Sequence, residues 1–113
     1  MMKIEAIIRR EKLAAVQAEL DSVGVQGITV LEVQGAGQQK GIVHHHRGSE
    51  YKVNLLPKLM VTTVVPDAAV EDVIGAIVAA AYTGEIGDGK IFLIPVADAV
   101  RVRTRERGDI VIT

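Results

Sequence analysis

The chain has 113 residues, a net charge of -1 and no cysteine. That is length for one domain with its own core, and a charge balance with no global pull toward nucleic acid or anionic membrane. The missing thiols exclude disulfides and thiolate metal sites, which suits a reducing cytoplasm. No stretch approaches the ~20 apolar residues of a membrane-spanning helix, and "MMKIEAIIRREK" lacks the apolar core of a signal peptide.

Only 3% of residues are aromatic against 49% hydrophobic, so an aliphatic core is expected. "KIEAIIRR" (3–10) alternates as a strand, with Ile4, Ala6 and Ile8 on one face. Leu13, Val16, Leu20 and Val23 then recur at helical spacing, and Gly24 is placed to stop that helix. "GITVLEV" (27–33) reads as a second strand. The pattern returns with a strand at "LMVTTVV" (59–65) and a helix opened by Pro66 and capped by Asp67. Val70, Val73, Ile74, Ile77, Val78 and Ala81 form its apolar stripe, and "KIFLIPV" (90–96) is the last strand.

The order β-α-β, β-α-β predicts one α+β domain over residues 1–113, of the ferredoxin-like βαββαβ kind with two helices on one sheet face. Ile7 opposite Ile8, and Phe92 and Ile94 opposite Ile91 and Leu93, leave the other face apolar too. A partner copy would cover it, so a closed homo-oligomer is expected. Between the halves, "QGAGQQKGIVHHHRGSEYKVNLLPK" (34–58) has no clean periodicity and reads as an excursion beyond the sheet, where ligands or partners are met.

Four features bear on chemistry. "TGEIGDGK" (83–90) is either a tight turn or a loop whose N–H groups, with Lys90, hold an anion. "VRVRT" (100–104), if extended, places Arg101 and Arg103 on one face ~6.6 Å apart, as a solvated edge or as two forks for adjacent phosphates. "GAGQQKG" (35–41) lacks the strand-to-helix context of a dinucleotide fingerprint. His44, His45 and His46 are a polar loop tip or, where copies meet in an oligomer, ligands to zinc or a similar ion. No Ser-His-Asp set, carboxylate pair or cysteine nucleophile is present, so no enzyme is expected.

"TGEIGDGKIFLIPV" followed by "VRVRT" resembles the C-terminal signature of the PII signal transduction proteins. "RGSEY" (47–51) resembles that family's T-loop modification segment, and "IEAII" and "LPK" (56–58) match as well, across essentially the whole chain. The resemblance implies a cytoplasmic homotrimer with a T-loop at about 37–51, a C-terminal tail at about 97–113, and ATP or ADP bound in clefts between subunits. Carried over by position, Thr29, Thr62 and Val64 would surround adenine and ribose. Gly37, Gln38, Gly87, Asp88, Gly89, Lys90, Arg101 and Arg103 would line the phosphates. Gln39, Gly41 and Lys58 would serve Mg²⁺ and 2-oxoglutarate. Ser49 and Tyr51 stand where members are phosphorylated or uridylylated, and the T-loop would dock on a membrane transporter or metabolic enzyme.

The chain also departs from the family. Gln38 stands where arginine is usual, Ala36 where an aromatic is common, and Thr62 where an acid is common. "RRE" (9–11) replaces "KPF", "IVHHH" (42–46) replaces a stretch like "HTELY", and Arg105 replaces glycine. A neutral amide at position 38 cannot form the guanidinium fork, so weak discrimination of ATP from ADP is expected. A metal-responsive protein using the histidines is the alternative function.

Overall fold

The computed structural model describes residues 1–36 and 55–113 in full and residues 42–46 and 49–53 by their backbone. Strand β1 (Met2–Ile8) leads through a short turn of 3-10 helix into helix α1 (Leu13–Ser22), and β2 (Thr29–Gly35) follows. β3 (Ile42–His46) and β4 (Ser49–Val53) precede β5 (Leu56–Val65), helix α2 (Val70–Ala81) and β6 (Lys90–Pro95). The main sheet has the order β2-β5-β1-β6, antiparallel throughout. This is the α+β ferredoxin-like arrangement.

Period-two alternation sorts the two faces. Ile4, Ala6 and Ile8 from β1 and Leu59, Val61 and Val65 from β5 are buried under Val16 and Leu20 of α1 and Val70, Val73 and Ile77 of α2. The opposite face carries Lys3, Glu5 and Ile7 of β1. By register, Lys58, Met60, Thr62 and Val64 of β5, Thr29, Leu31 and Val33 of β2, and Lys90, Phe92 and Ile94 of β6 lie on the same face. That face is less uniformly apolar than expected, because Lys3 and Glu5 sit at its centre, paired at 3.4 Å. Around them Leu31, Phe92 and Ile94 are exposed.

Helix α1 ends as its glycine suggests. Gly24 takes φ +84°, its N–H donates to the Asp21 carbonyl at 3.0 Å, and Val25 N–H donates to Leu20 O at 3.0 Å. These two bonds satisfy carbonyls the helix leaves open. Three expectations fail. Asp67 makes no capping bond, and its carboxylate meets the Met1 amino group at 2.9 Å instead. Val78 is exposed, because the buried stripe of α2 runs through Ala76 rather than Val78.

The third failure is at 100–104, which is not extended. Val100 bridges Arg107, Arg101 N–H donates to Glu106 O, and Arg105 N–H donates to Arg101 O at 2.8 Å. The chain folds back on itself, with Arg105 at φ +64° and Val102 96% exposed. A backbone closed by its own turn cannot present Arg101 and Arg103 as alternate residues of a strand. The excursion between the halves also carries regular structure its sequence did not show: β3 and β4 pair antiparallel, with His44 opposite Tyr51, His45 opposite Glu50 and His46 opposite Ser49.

Candidate functional site

The register Ile7↔Lys90 brings the glycine-rich loop onto the end of β1. Gly84, Gly87 and Gly89 take φ of +90°, +105° and +104°, a region side chains resist. At Gly89 the need is also steric, since a Cβ there would lie 1.7 Å from the Ile7 carbonyl oxygen. Backbone packs on backbone at that point.

Asp88 organises the loop from within. Its carboxylate accepts from Thr83 N–H at 2.8 Å and Gly84 N–H at 2.9 Å, from the Thr83 hydroxyl, and from Arg9 Nε at 3.1 Å. The Thr83 hydroxyl, the Thr83 and Gly84 N–H groups and Arg9 hold this carboxyl well below the usual carboxylate range. Lys58, buried on β5, donates from Nζ to Gly87 O at 2.7 Å. Burial lowers its pKa, and the nearby Arg9 charge lowers it further.

A cleft of ≈ 680 Å³ opens beside the loop. Ile7, Val33 and Phe92 give it apolar surface, Ile86, Gly87, Gly89 and Lys90 form one wall, Lys58 lies within, and Gln34 to Ala36 lie along its edge. Two lysines and a glycine backbone suit a multiply charged anion, and the apolar surface suits a planar group. Of the residues implied for the phosphates, Gly87, Gly89 and Lys90 line this cleft, and the tight contact at Gly89 is with Ile7 O of β1. Asp88 is the exception. Its carboxylate is committed to the loop, so its part in an anion site is to shape the backbone around it.

The other implied contacts lie elsewhere. Val64 and Arg101 line a second hollow of ≈ 550 Å³, with Gly24 to Gly27 and the C-terminal Val111 to Thr113. Thr29 and Thr62 are cross-strand partners on the bare face two residues before Val64. Six residues of β5 separate Lys58 from Val64, roughly 20 Å at ~3.3 Å per residue. The chain therefore assembles Lys58, Gly87, Gly89 and Lys90 in one hollow and Val64 and Arg101 in another, with Thr29 and Thr62 lining neither. Arg101 is held by Glu106 and by Ile110 O at 3.1 Å, while Arg103 lies exposed in the turn. Gly37, Gln38, Gln39 and Gly41 lie outside the described residues, and His44, His45, His46, Ser49 and Tyr51 are placed by backbone alone. Among the described residues no group of three or more His, Cys, Asp or Glu is placed to hold a metal.

Sequence reading missed Ile7, Phe92 and above all Arg9. Arg9 and Asp88 are 79 positions apart, so no local pattern links them. The ferredoxin-like topology would have, because pairing β1 with β6 sets the end of one strand beside the start of the other.

A ferredoxin-like sheet with a glycine loop packed on the end of β1 and two lysines beside a cleft defines the class of small α+β domain. Residues 1–106 match the family model described as "Nitrogen regulatory protein P-II". Relatives of that name share 53% identity over 108 residues in Azospirillum brasilense, covering 96% of both chains. The Microchaete diplosiphon relative is 54% identical over 107 residues, covering 95% of this chain and 96% of its own. The chain belongs to the nitrogen regulatory protein P-II family and is a signal-transduction regulator.

Proposed function

We propose that this regulator is non-enzymatic and cytoplasmic, and that it binds ATP or ADP in the clefts between the subunits of a homotrimer. One observation carries the reading: Lys58, Gly87, Gly89 and Lys90 line one hollow and Val64 and Arg101 another, with Lys58 and Val64 roughly 20 Å apart along β5. On one chain the two hollows are separate rather than one continuous site. A rotated neighbour can join them, with phosphates against Gly87, Gly89 and Lys90 of one subunit and adenine and ribose against Thr29, Thr62 and Val64 of the next. Arg101 and Arg103 then approach the phosphates from the neighbour's side. The exposed Leu31, Phe92 and Ile94 supply apolar contact for the association.

Mg²⁺ enters with the phosphates, and 2-oxoglutarate or another small carboxylate binds beside Lys58, Gln39 and Gly41. Gln34 to Ala36, the residues just before segment 37–51, line the cleft edge, so a ligand there biases that segment's conformation and hence docking on a transporter or metabolic enzyme. Modification of Ser49 or Tyr51 would add charge to the same segment. Light scattering should give three times the 12.1 kDa chain mass, and calorimetry one ATP or ADP per chain with similar affinities. A monomer that binds no nucleotide would overturn the reading.

A metal-responsive role has one observation in its favour. His44, His45 and His46 fall together in β3, and imidazole is a common zinc ligand. Zinc titration of the nucleotide-free protein tests it, and the absence of saturable binding would remove it.

A further inference from the structure

We propose that Arg9 is the positioning residue of the glycine loop, holding it in its phosphate-receiving shape before any ligand arrives. The proposal rests on the nucleotide reading above, but its structural half can be tested without nucleotide.

β1 ends at Ile8, and Arg9 continues in extended conformation at φ -65°, ψ 141°. From there its guanidinium crosses to the loop. Nε donates to Asp88 Oδ1 at 3.1 Å and Nη2 to Ile86 O at 3.0 Å. These anchor points flank Gly87. On the other side Asp88 closes the loop through Thr83 and Gly84 N–H. The loop is tied to itself by Asp88 and to the sheet by Arg9. The Arg9 side chain is only 17% exposed.

Arginine is the residue type this task needs. One planar group directs separate N–H donors at a carboxylate and a carbonyl, whereas a lysine ammonium is a point charge on a loose stem. The tie has a purpose, because a segment with three glycines at positive φ has many conformations to lose on binding a ligand. Fixing it beforehand removes that cost from the binding step. Arg9 also adds positive potential, since its charge is close enough to Lys58 to lower that lysine's pKa.

The experiment compares the full chain with Arg9→Ala and Arg9→Lys, using ATP and adenosine as probes and amide hydrogen exchange on the ligand-free proteins. In Arg9→Ala, exchange at Thr83, Gly84 and Gly87 to Lys90 should speed up while β1 and β5 stay protected. ATP should bind about ten-fold more weakly, the loss of roughly one charge-assisted contact, with adenosine unaffected. Arg9→Lys should recover part of both. General damage to the fold would weaken adenosine equally and release β1 and β5 as well. If Arg9→Ala leaves loop exchange unchanged, the proposal is overturned. If the unaltered chain does not bind ATP, the nucleotide reading falls while the exchange comparison still decides for or against the tie. Should the alanine variant not fold, Arg9→Lys against the unaltered chain carries the same comparison, and identical exchange and affinity would refute it.

Discussion

A methyl group added at Gly89 has no free direction. It would lie 1.7 Å from Ile7 O, on a backbone at φ +104°. Positive φ in a non-glycine residue costs roughly 1–3 kcal/mol, and the contact must also push β1 away from the loop. Gly84 shares the φ problem at +90°, but a Cβ there first meets the Tyr82 hydroxyl at 3.2 Å, at the end of a side chain that can turn aside. Gly89→Ala should therefore cost clearly more stability than Gly84→Ala in denaturant unfolding, and equal losses would mean the backbone contact is not tight. Asp88 makes a different prediction. Its pKa is depressed in the folded state by the Thr83 hydroxyl, by the Thr83 and Gly84 N–H groups and by Arg9. Its contribution is present above the ordinary value of 3.8 and is lost only as pH falls through the lower folded value. A carboxyl resonance for Asp88 that has not begun to titrate at pH 4 would bear this out, and a midpoint at the ordinary value would contradict it.

Among the elements, α2 offers the clean contrast. Gly75 lies mid-helix with nothing within 4 Å of a Cβ, and glycine there costs roughly 0.5–1 kcal/mol against alanine. Gly75→Ala should raise the melting temperature by a few degrees. A drop would mean that the helix side, not the bare sheet face, meets the neighbouring subunit. Helices and sheet were legible because burial imposes periods: Val16 and Leu20 repeat at helical spacing, and Ile4, Ala6 and Ile8 at strand spacing. The turn at 100–104 was not legible, because "VRVRT" alternates like a strand while bonds from Arg101 to Glu106 and from Gly108 to Ala99 close it back on itself. The hairpin of β3 and β4 escaped for the opposite reason, since "IVHHH" and "SEYKV" have no apolar alternation to betray a ladder. At the site, the glycines marked a loop in the sequence itself, but its architecture depends on Arg9 and Lys58. Those contacts reach across 79 and 29 positions and follow only from strand order.

For the whole molecule, the two separated groups of ligand residues make a stoichiometric prediction. Lys90 belongs to one hollow and Arg101 to the other. If a nucleotide is held between neighbours, Lys90→Ala and Arg101→Ala should each weaken ATP binding in the pure variant trimer, since every cleft then lacks one of the two cations. Mixed and reassembled, the two variants form some clefts in which the Lys90→Ala chain supplies the intact Arg101 and the Arg101→Ala chain the intact Lys90. Random assembly in equal amounts makes about one cleft in four whole again in a closed ring. Calorimetry of the mixture should therefore recover a high-affinity component of about that fraction, with an equal fraction doubly damaged and the remaining half as weak as the pure variants. A site inside one chain gives no recovery at any mixing ratio, because each subunit still carries its own lesion. Chemical crosslinking must show that chains have exchanged. With exchange demonstrated, the absence of the tight component would place both groups within one subunit's reach and overturn the cleft between neighbours.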